Sequence, residues 1–438
     1  MSSSPRCHAH RRGPVCRRSR SLLGLLVLLL SRSAAADSQS TRAPAEGETW
    51  TLLLSTHASQ ERAPQVQRAR AALLAARAFR THSTMGKLGN PVLSARAMIG
   101  RPDGPAATYS LLLGLPFDLS GKRAAYREEA SWLERQAEAE LDVAKNDARS
   151  AALRAYVEVA IGEAQLRTLR LNQETAADFL NRVRARFDAR AATALDLALS
   201  ERDYAESVAN YARANISLAE ARRAFRQALD LDPESTLNLA PLEAPTLPVG
   251  LDRGNVAALA LAHRREMHAL SAGASRKRVA AQRQRREAIA PWVVAAEGEQ
   301  QGRDQPQRSV GASLSTELPV ILKNQGERAV TLGEAGVLDV EQSLTERQVA
   351  REAYAGFERL EAVLDELRAI DTLAMPAAER ALSMTSEMLE AGAVDVFRVL
   401  TARQAAFDLR VRRVDVLREA WELRVQLERA IGLVEELR

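Results

Sequence analysis

TYSLLLGLPFDLSGKR, residues 108–123, alternates with a period of two and then breaks at a glycine followed by two cations. Tyr109, Leu111, Leu113, Leu115 and Phe117 share one face, and Thr108, Ser110, Leu112 and Gly114 share the other. That is a β-strand with one apolar face, running into a turn and a helix. SVGASLSTELPVIL, residues 309–322, repeats the form, with Val310, Ala312, Leu314, Thr316 and Leu318 against Ser309, Gly311, Ser313, Ser315 and Glu317. The two stretches lie roughly 200 residues apart, the spacing of a duplicated half.

Other matches sit at a similar offset. Ala58–Ala71 parallels Leu261–Ala274, Pro91 parallels Pro291, and Phe187-Asp188-Ala189-Arg190 parallels Leu389-Glu390-Ala391-Gly392. Leu93, Ala95, Ala97 and Ile99 mark a strand before the first junction, and Trp292, Val294 and Ala296 mark a weaker one before the second. Arg101–Pro105 and Gly302–Gln307 read as hairpin loops. Each half therefore reads as helix, two strands, two long helices. The organisation is residues 1–36 as a leader, 37–231 as the first repeat, 232–254 as a linker carrying Pro233, Pro241, Pro245 and Pro248, and 255–438 as the second repeat.

Strands of about ten residues with one apolar face suit a transmembrane β-barrel with a wet lumen. Four strands cannot close one, and open edges cannot sit in lipid, so several chains must close it together. After Gly121 the apolar positions run Ala130, Leu133, Ala137, Leu141, Ala144, Ala148, Ala152, Ala155, Val159, with steps of three and four near the 11-residue repeat of nearly straight helices. Alanine at most of these contacts permits close packing into a wall around a tube.

The leader is legible. Arg11, Arg12, Arg17, Arg18 and Arg20 precede the apolar run Leu22–Leu30, and Ser33-Ala34-Ala35-Ala36 supplies small residues for cleavage before Asp37. It reads as a secretory signal peptide. Both cysteines, Cys7 and Cys16, lie within it. The rest of the chain therefore has no disulfide, thiol nucleophile, cysteine metal site or lipid-acceptor cysteine. A net charge of +5 and 4% aromatic residues do not call for nucleic acid. No dinucleotide, Walker, zinc-protease or nucleophile-elbow motif is present, and His57, His82, His263 and His268 are scattered. No catalytic residue, cofactor or metal ligand is expected. The cluster Arg276, Lys277, Arg278, Arg283, Arg285 and Arg286 reads as a solvated helix face or as a contact for anionic headgroups.

Taken together, the junction Leu115–Arg123 and the turns Arg186–Leu197 and Glu390–Leu400 resemble the TolC-like outer-membrane efflux factor family. The glycine-lysine-arginine after the strand is most similar to its heavy-metal, CzcC-type subgroup. The resemblance implies a mainly α fold with a small transmembrane β part: a homotrimer whose 12-stranded barrel, four strands per chain, continues into an α-helical tunnel. It implies outer-membrane lipid around the barrel, a periplasmic adaptor and an inner-membrane pump as partners, and passive export, possible cargoes being heavy-metal cations, drugs or a secreted protein. A periplasmic coiled-coil scaffold is the reading from another class. On this resemblance Ala189, Arg190, Leu195, Ala391, Gly392 and Leu400 belong to adaptor-docking tips, and Pro116, Gly121, Lys122, Arg123, Pro319 and Gly326 to strand–helix junctions. Arg398 and Thr401 stand where the family carries acidic gate residues, with Asp395 and Asp196 as possible partners of Arg398. Arg190 departs from the family's usual glycine.

Overall fold

The computed structural model describes residues 49–82, 88–99, 107–248, 250–302 and 307–431. The leader and most of both hairpin loops fall outside them. The first half comprises α1 (Leu52–Arg62), α2 (Pro64–His82), β1 (Val92–Met98), β2 (Thr108–Phe117), α3 (Lys122–Asp188) and α4 (Ala194–Ala228). The second comprises α5 (Val256–His263), α6 (Arg265–Glu287), β3 (Trp292–Gln301), β4 (Gln307–Ser315), α7 (Gln325–Ala369), a π-helical turn (Ile370–Ala374), α8 (Met375–Glu390) and α9 (Val396–Ile431). The duplicated order is thus present in the fold.

The alanine stripe of α3 is its packing face. Ala130, Ala137, Leu141, Ala148, Ala152 and Val159 are buried, and the stripe's other members are half-buried. With 67 residues, α3 extends about 100 Å at 1.5 Å per residue. Its counterpart in the second half is interrupted. Pro376, two residues into α8, has no N–H to give and its ring crowds the carbonyl four residues back, so the helix widens into the π turn just before it. The second half therefore builds this helix from two α segments joined by the π turn.

The four strands form one antiparallel sheet in the order β1-β2-β3-β4. The β2–β3 pairing joins the halves, with Leu111 opposite Gly298, Leu113 opposite Ala296 and Leu115 opposite Val294. Register carries the apolar face across all four strands, through Leu93, Leu113, Ala296 and Ala312. The opposite face carries Arg96, Ser110, Glu299 and Ser309. β3 is longer than its weak alternation indicates, because its second part, Glu297 to Gln301, is polar on one face and nearly featureless on the other. β4 begins at Gln307 and ends at Ser315, short of Leu318.

Within residues 232–254, read as a linker, residues 232–248 are a strap laid across the helices. Trp50 pairs in parallel with Leu239, and the Tyr156 hydroxyl of α3 donates to the Ala240 carbonyl at 2.9 Å. Trp421 Nε1 and Arg424 of α9 donate to the carbonyls of Glu243 and Thr246 at 2.8 and 2.6 Å. Leu242 packs against both main cores, one built around Tyr156 and Phe225 and the other around Phe357, Leu360 and Leu427. Proline suits this path because it asks for extended backbone and offers no N–H of its own.

Candidate functional site: a sheet with its apolar face outward and two helical tips

In a soluble protein the apolar face of a strand is the buried one. Here the order is inverted. Tyr109, Leu111, Leu113 and Leu115 are each between 44 and 55% exposed, while Ser110, Leu112 and Gly114 on the other face are less so. Val310 reaches 89% exposure. The edge strands β1 and β4 are exposed along their whole length and each has one unpaired edge. No helix among the described residues is long and apolar enough to cross a membrane.

Below the sheet, the two junctions hold the helices. Gly121 caps α3 in the left-handed region, φ +72, and its carbonyl accepts from Arg286 at 3.0 Å. The Pro116 carbonyl accepts from Gly89 N–H at 2.8 Å, Lys122 N–H donates to Ser120 Oγ, and Arg123 faces Asp118 at 3.7 Å. In the second half Asn324, with φ +53, takes the left-handed position. Pro319 lies five residues before it, as Pro116 lies before Gly121. Gly326, matched to Gly121 on sequence, instead falls inside the first turn of α7, where an added Cβ would meet nothing.

Half of the basic cluster on α6 is already neutralised. Lys277 pairs with Glu334 and Arg278 with Asp339, and Arg283 pairs with Glu129 and Glu287 and stacks over Tyr126. Burial lowers the proton affinity of Arg283, but the hydrogen bonds it donates to Glu129 and Glu287 more than reverse this, and its pKa is raised overall. The cluster is chiefly a seam between α3, α6 and α7.

At the other end, α3 turns into α4 and α8 into α9 through the same device. In each, a left-handed residue, Arg190 (φ +57) or Gly392 (φ +73), ends the helix. The next N–H donates five residues back, Ala191 to Arg186 and Ala393 to Met388. These are Schellman turns. Arg190 adopts a conformation that costs a side-chain-bearing residue about 1 kcal/mol relative to glycine. Thr193 and Asp196 then form a reciprocal capping box on α4, and Asp395 accepts from the Arg398 N–H at 3.0 Å to cap α9.

Capping therefore occupies both carboxylates proposed as partners for Arg398. The Arg398 side chain is exposed and, among the described residues, makes no ion pair. Thr401 bonds back to the Phe397 carbonyl. Ala189, Arg190, Ala391 and Gly392 are exposed at the turns, and Leu400 is half-buried. Leu195 and Phe397, at matching places in the two tips, are 67 and 61% exposed. Beneath them Phe179, Val183, Leu389, Val396 and Val399 form a small core joining the hairpins. Arg186 Nη1 crosses to the Leu389 carbonyl at 2.9 Å. Sequence reading missed the buried Arg403 of α9, which pairs with Asp203 of α4 and lies over Phe179, with its charge 5.9 Å from the ring centre.

This architecture is that of solved outer-membrane channels. The outer-membrane channel OprN aligns with a TM-score of 0.72 over 87% of this chain and 89% of its own, at 18% identity. CusC, whose structures concern folding and transmembrane channel formation, aligns at 0.70 over 90 and 95%, with 16% identity. The outer-membrane protein VceC from Vibrio cholerae aligns at 0.70 over 87 and 96%, with 18% identity. No protein-family model and no curated protein matches the sequence. The chain has a TolC-like fold: an α-helical tunnel segment plus the four-strand share of a barrel.

Proposed function

We propose that this chain is one subunit of a trimeric outer-membrane duct that exports cargo passively. One observation carries the reading: a four-stranded sheet with two free edges presents its apolar face outward and continues into long helices, α3 alone extending about 100 Å. Free edges are untenable in lipid, so copies must pair β4 of one with β1 of the next. Three copies give twelve strands. The likeness in fold to outer-membrane channels supports the same reading. Residues 1–36 direct export and are removed before Asp37, and the duct performs no chemistry of its own.

The two tips dock a periplasmic adaptor that couples the duct to an inner-membrane pump, with Leu195 and Phe397 as its apolar contacts. Arg398 and Thr401 face the entrance. The glycine-lysine-arginine at Gly121–Arg123 supports heavy-metal cations as the cargo; drug efflux and protein secretion are the alternatives within this architecture. A soluble periplasmic scaffold is disfavoured by the outward apolar face. Native mass measurement of protein extracted from membranes by detergent tests the core of the proposal. A trimer is expected, and a water-soluble monomer would overturn it.

A further inference from the structure

The duplicated junctions differ in one respect that the duplication does not require. In the first, Asp118 is buried, its side chain only 4% exposed, and it accepts from Ser120 N–H and Oγ–H while facing Arg123. Leu88 and Gly89 bridge to Phe117 and Pro116 alongside. This turn closes on itself. In the second, alignment on Pro319 and Asn324 puts Ile321 where Asp118 stands, Val320 where Phe117 stands and Leu322 where Leu119 stands. Val320, Ile321 and Leu322 are 72, 81 and 78% exposed, as is Leu318 at 77%. Four large apolar side chains within five residues find no cover in the chain.

The geometry points to this segment, Leu318–Leu322, as an interfacial anchor that enters the membrane leaflet on the helical side of the barrel and takes phospholipid as its partner. This rests on the reading of the sheet as a membrane barrel. Three observations select lipid over other occupants. The segment follows β4 after Thr316 and Glu317, and the outward residues Val310 and Leu314 of that strand belong to the apolar face of the sheet. It is unbroken by polar residues, and an apolar run of this kind in solvent is costly, because burial of apolar surface is favourable in proportion to its area. It ends in Lys323, whose amine makes no ion pair among the described residues, so a cation meets the headgroups where the apolar run stops. Asn324 Nδ2 fastens the end of the segment to the Gln284 carbonyl at 3.0 Å, beside exposed Arg285. The rigid helices thus fix the depth at which the four apolar residues sit.

The test uses single cysteines, in a Cys7→Ser, Cys16→Ser background, carrying an environment-sensitive nitrobenzoxadiazole label. Ile321→Cys and Leu322→Cys probe the anchor, and Leu113→Cys on β2 reports on the barrel itself. The full-length protein is reconstituted in vesicles of phosphatidylethanolamine and phosphatidylglycerol, with or without a nitroxide-bearing phospholipid. Loss of fluorescence at positions 321 and 322 comparable with that at 113, together with insensitivity to aqueous iodide, is expected. Quenching at 113 with neither quencher effective at 321 and 322 means that a second copy covers the segment, and overturns the anchor. Quenching at 113 by lipid but at 321 and 322 by iodide means solvent exposure, and also overturns it. Absence of lipid quenching at 113 overturns the barrel reading and the anchor with it.

Discussion

Arg403 of α9 and Asp203 of α4 form an ion pair between the two helical hairpins near their tips. Both lie on the hairpins' facing sides, and the Arg403 side chain is 9% exposed against 22% for Asp203. Burial pushes the Arg403 guanidinium down to about 10, so it remains charged at neutral pH. Such a pair stabilises little relative to an apolar pair, but removing one partner leaves the other stranded.

The two partners should therefore be unequal under mutation. Asp203→Ala strands a buried cation and should loosen the tips by about 3 kcal/mol, whereas Arg403→Met leaves only the more exposed carboxylate and should cost less. Hydrogen exchange at residues 196–203 and 396–403 reads this directly. Faster exchange is expected in both variants, more so in Asp203→Ala, and the loss of protection relative to each amide's intrinsic rate should be the same across roughly pH 6 to 8 because the arginine does not titrate there. Equal exchange in wild type and Asp203→Ala would show that the small apolar core around Phe179 and Val396 holds the tips without the pair.

The turns make a second pair of opposite expectations. Arg190→Gly relieves a left-handed side chain and should stabilise the first tip by about 1 kcal/mol. Gly392→Val imposes the same conformation on a β-branched residue and should destabilise the second by at least as much. Thermal unfolding and limited proteolysis at the tips report both. Equal stability of Arg190→Gly and wild type would mean that contacts of the Arg190 side chain offset the backbone cost.

At the first junction, Asp118 holds two hydrogen bonds and faces a cation from a nearly buried position. Asp118→Ala should cost about 1–3 kcal/mol, the range for leaving buried donors unsatisfied. The loss should appear as fraying at the start of α3, seen as faster exchange at residues 120–126. Full protection there would assign the turn's stability to Gly121 and its bond from Arg286 instead.

What the sequence discloses follows the physics of each element. The strand faces at Tyr109–Phe117 and Val310–Leu314, and the α3 stripe, were legible because side-chain periods of two and 3.6 come from backbone geometry alone. The extent of β3 was not, since Glu297, Glu299 and Gln301 alternate with Gly298 and Ala296, which offer little apolar contrast on the other face. Pro376 was a visible signal for the π turn that the long apolar pattern obscured. Asn324 was overlooked because asparagine, unlike glycine, does not announce a left-handed residue. Arg403 and Asp203 lie in different hairpins with no local pattern, so only the packing of α4 against α9 reveals them.

Arg398 invites the last prediction. It occupies the third position of α9, where Asp196 stands in α4. The duplicated tips thus carry opposite charges at matching places. Two roles were open to it, a closing pair with Asp395 or Asp196 and a free charge at the entrance. Asp395 spends an oxygen on the Arg398 backbone and Asp196 is committed to Thr193, while the guanidinium projects without an ion partner among the described residues. That arrangement favours the free charge. Three such arginines around a narrow opening would concentrate positive potential and favour anions over bare cations. Arg398→Asp should then shift the reversal potential in a salt gradient toward cation preference in planar-bilayer recordings of the trimer, with open probability little changed. A rise in open probability without a shift in selectivity would restore the closing-pair role through another copy's carboxylate. No change in either would place Arg398 away from the entrance altogether, and a cation cargo would then face no electrostatic barrier from it.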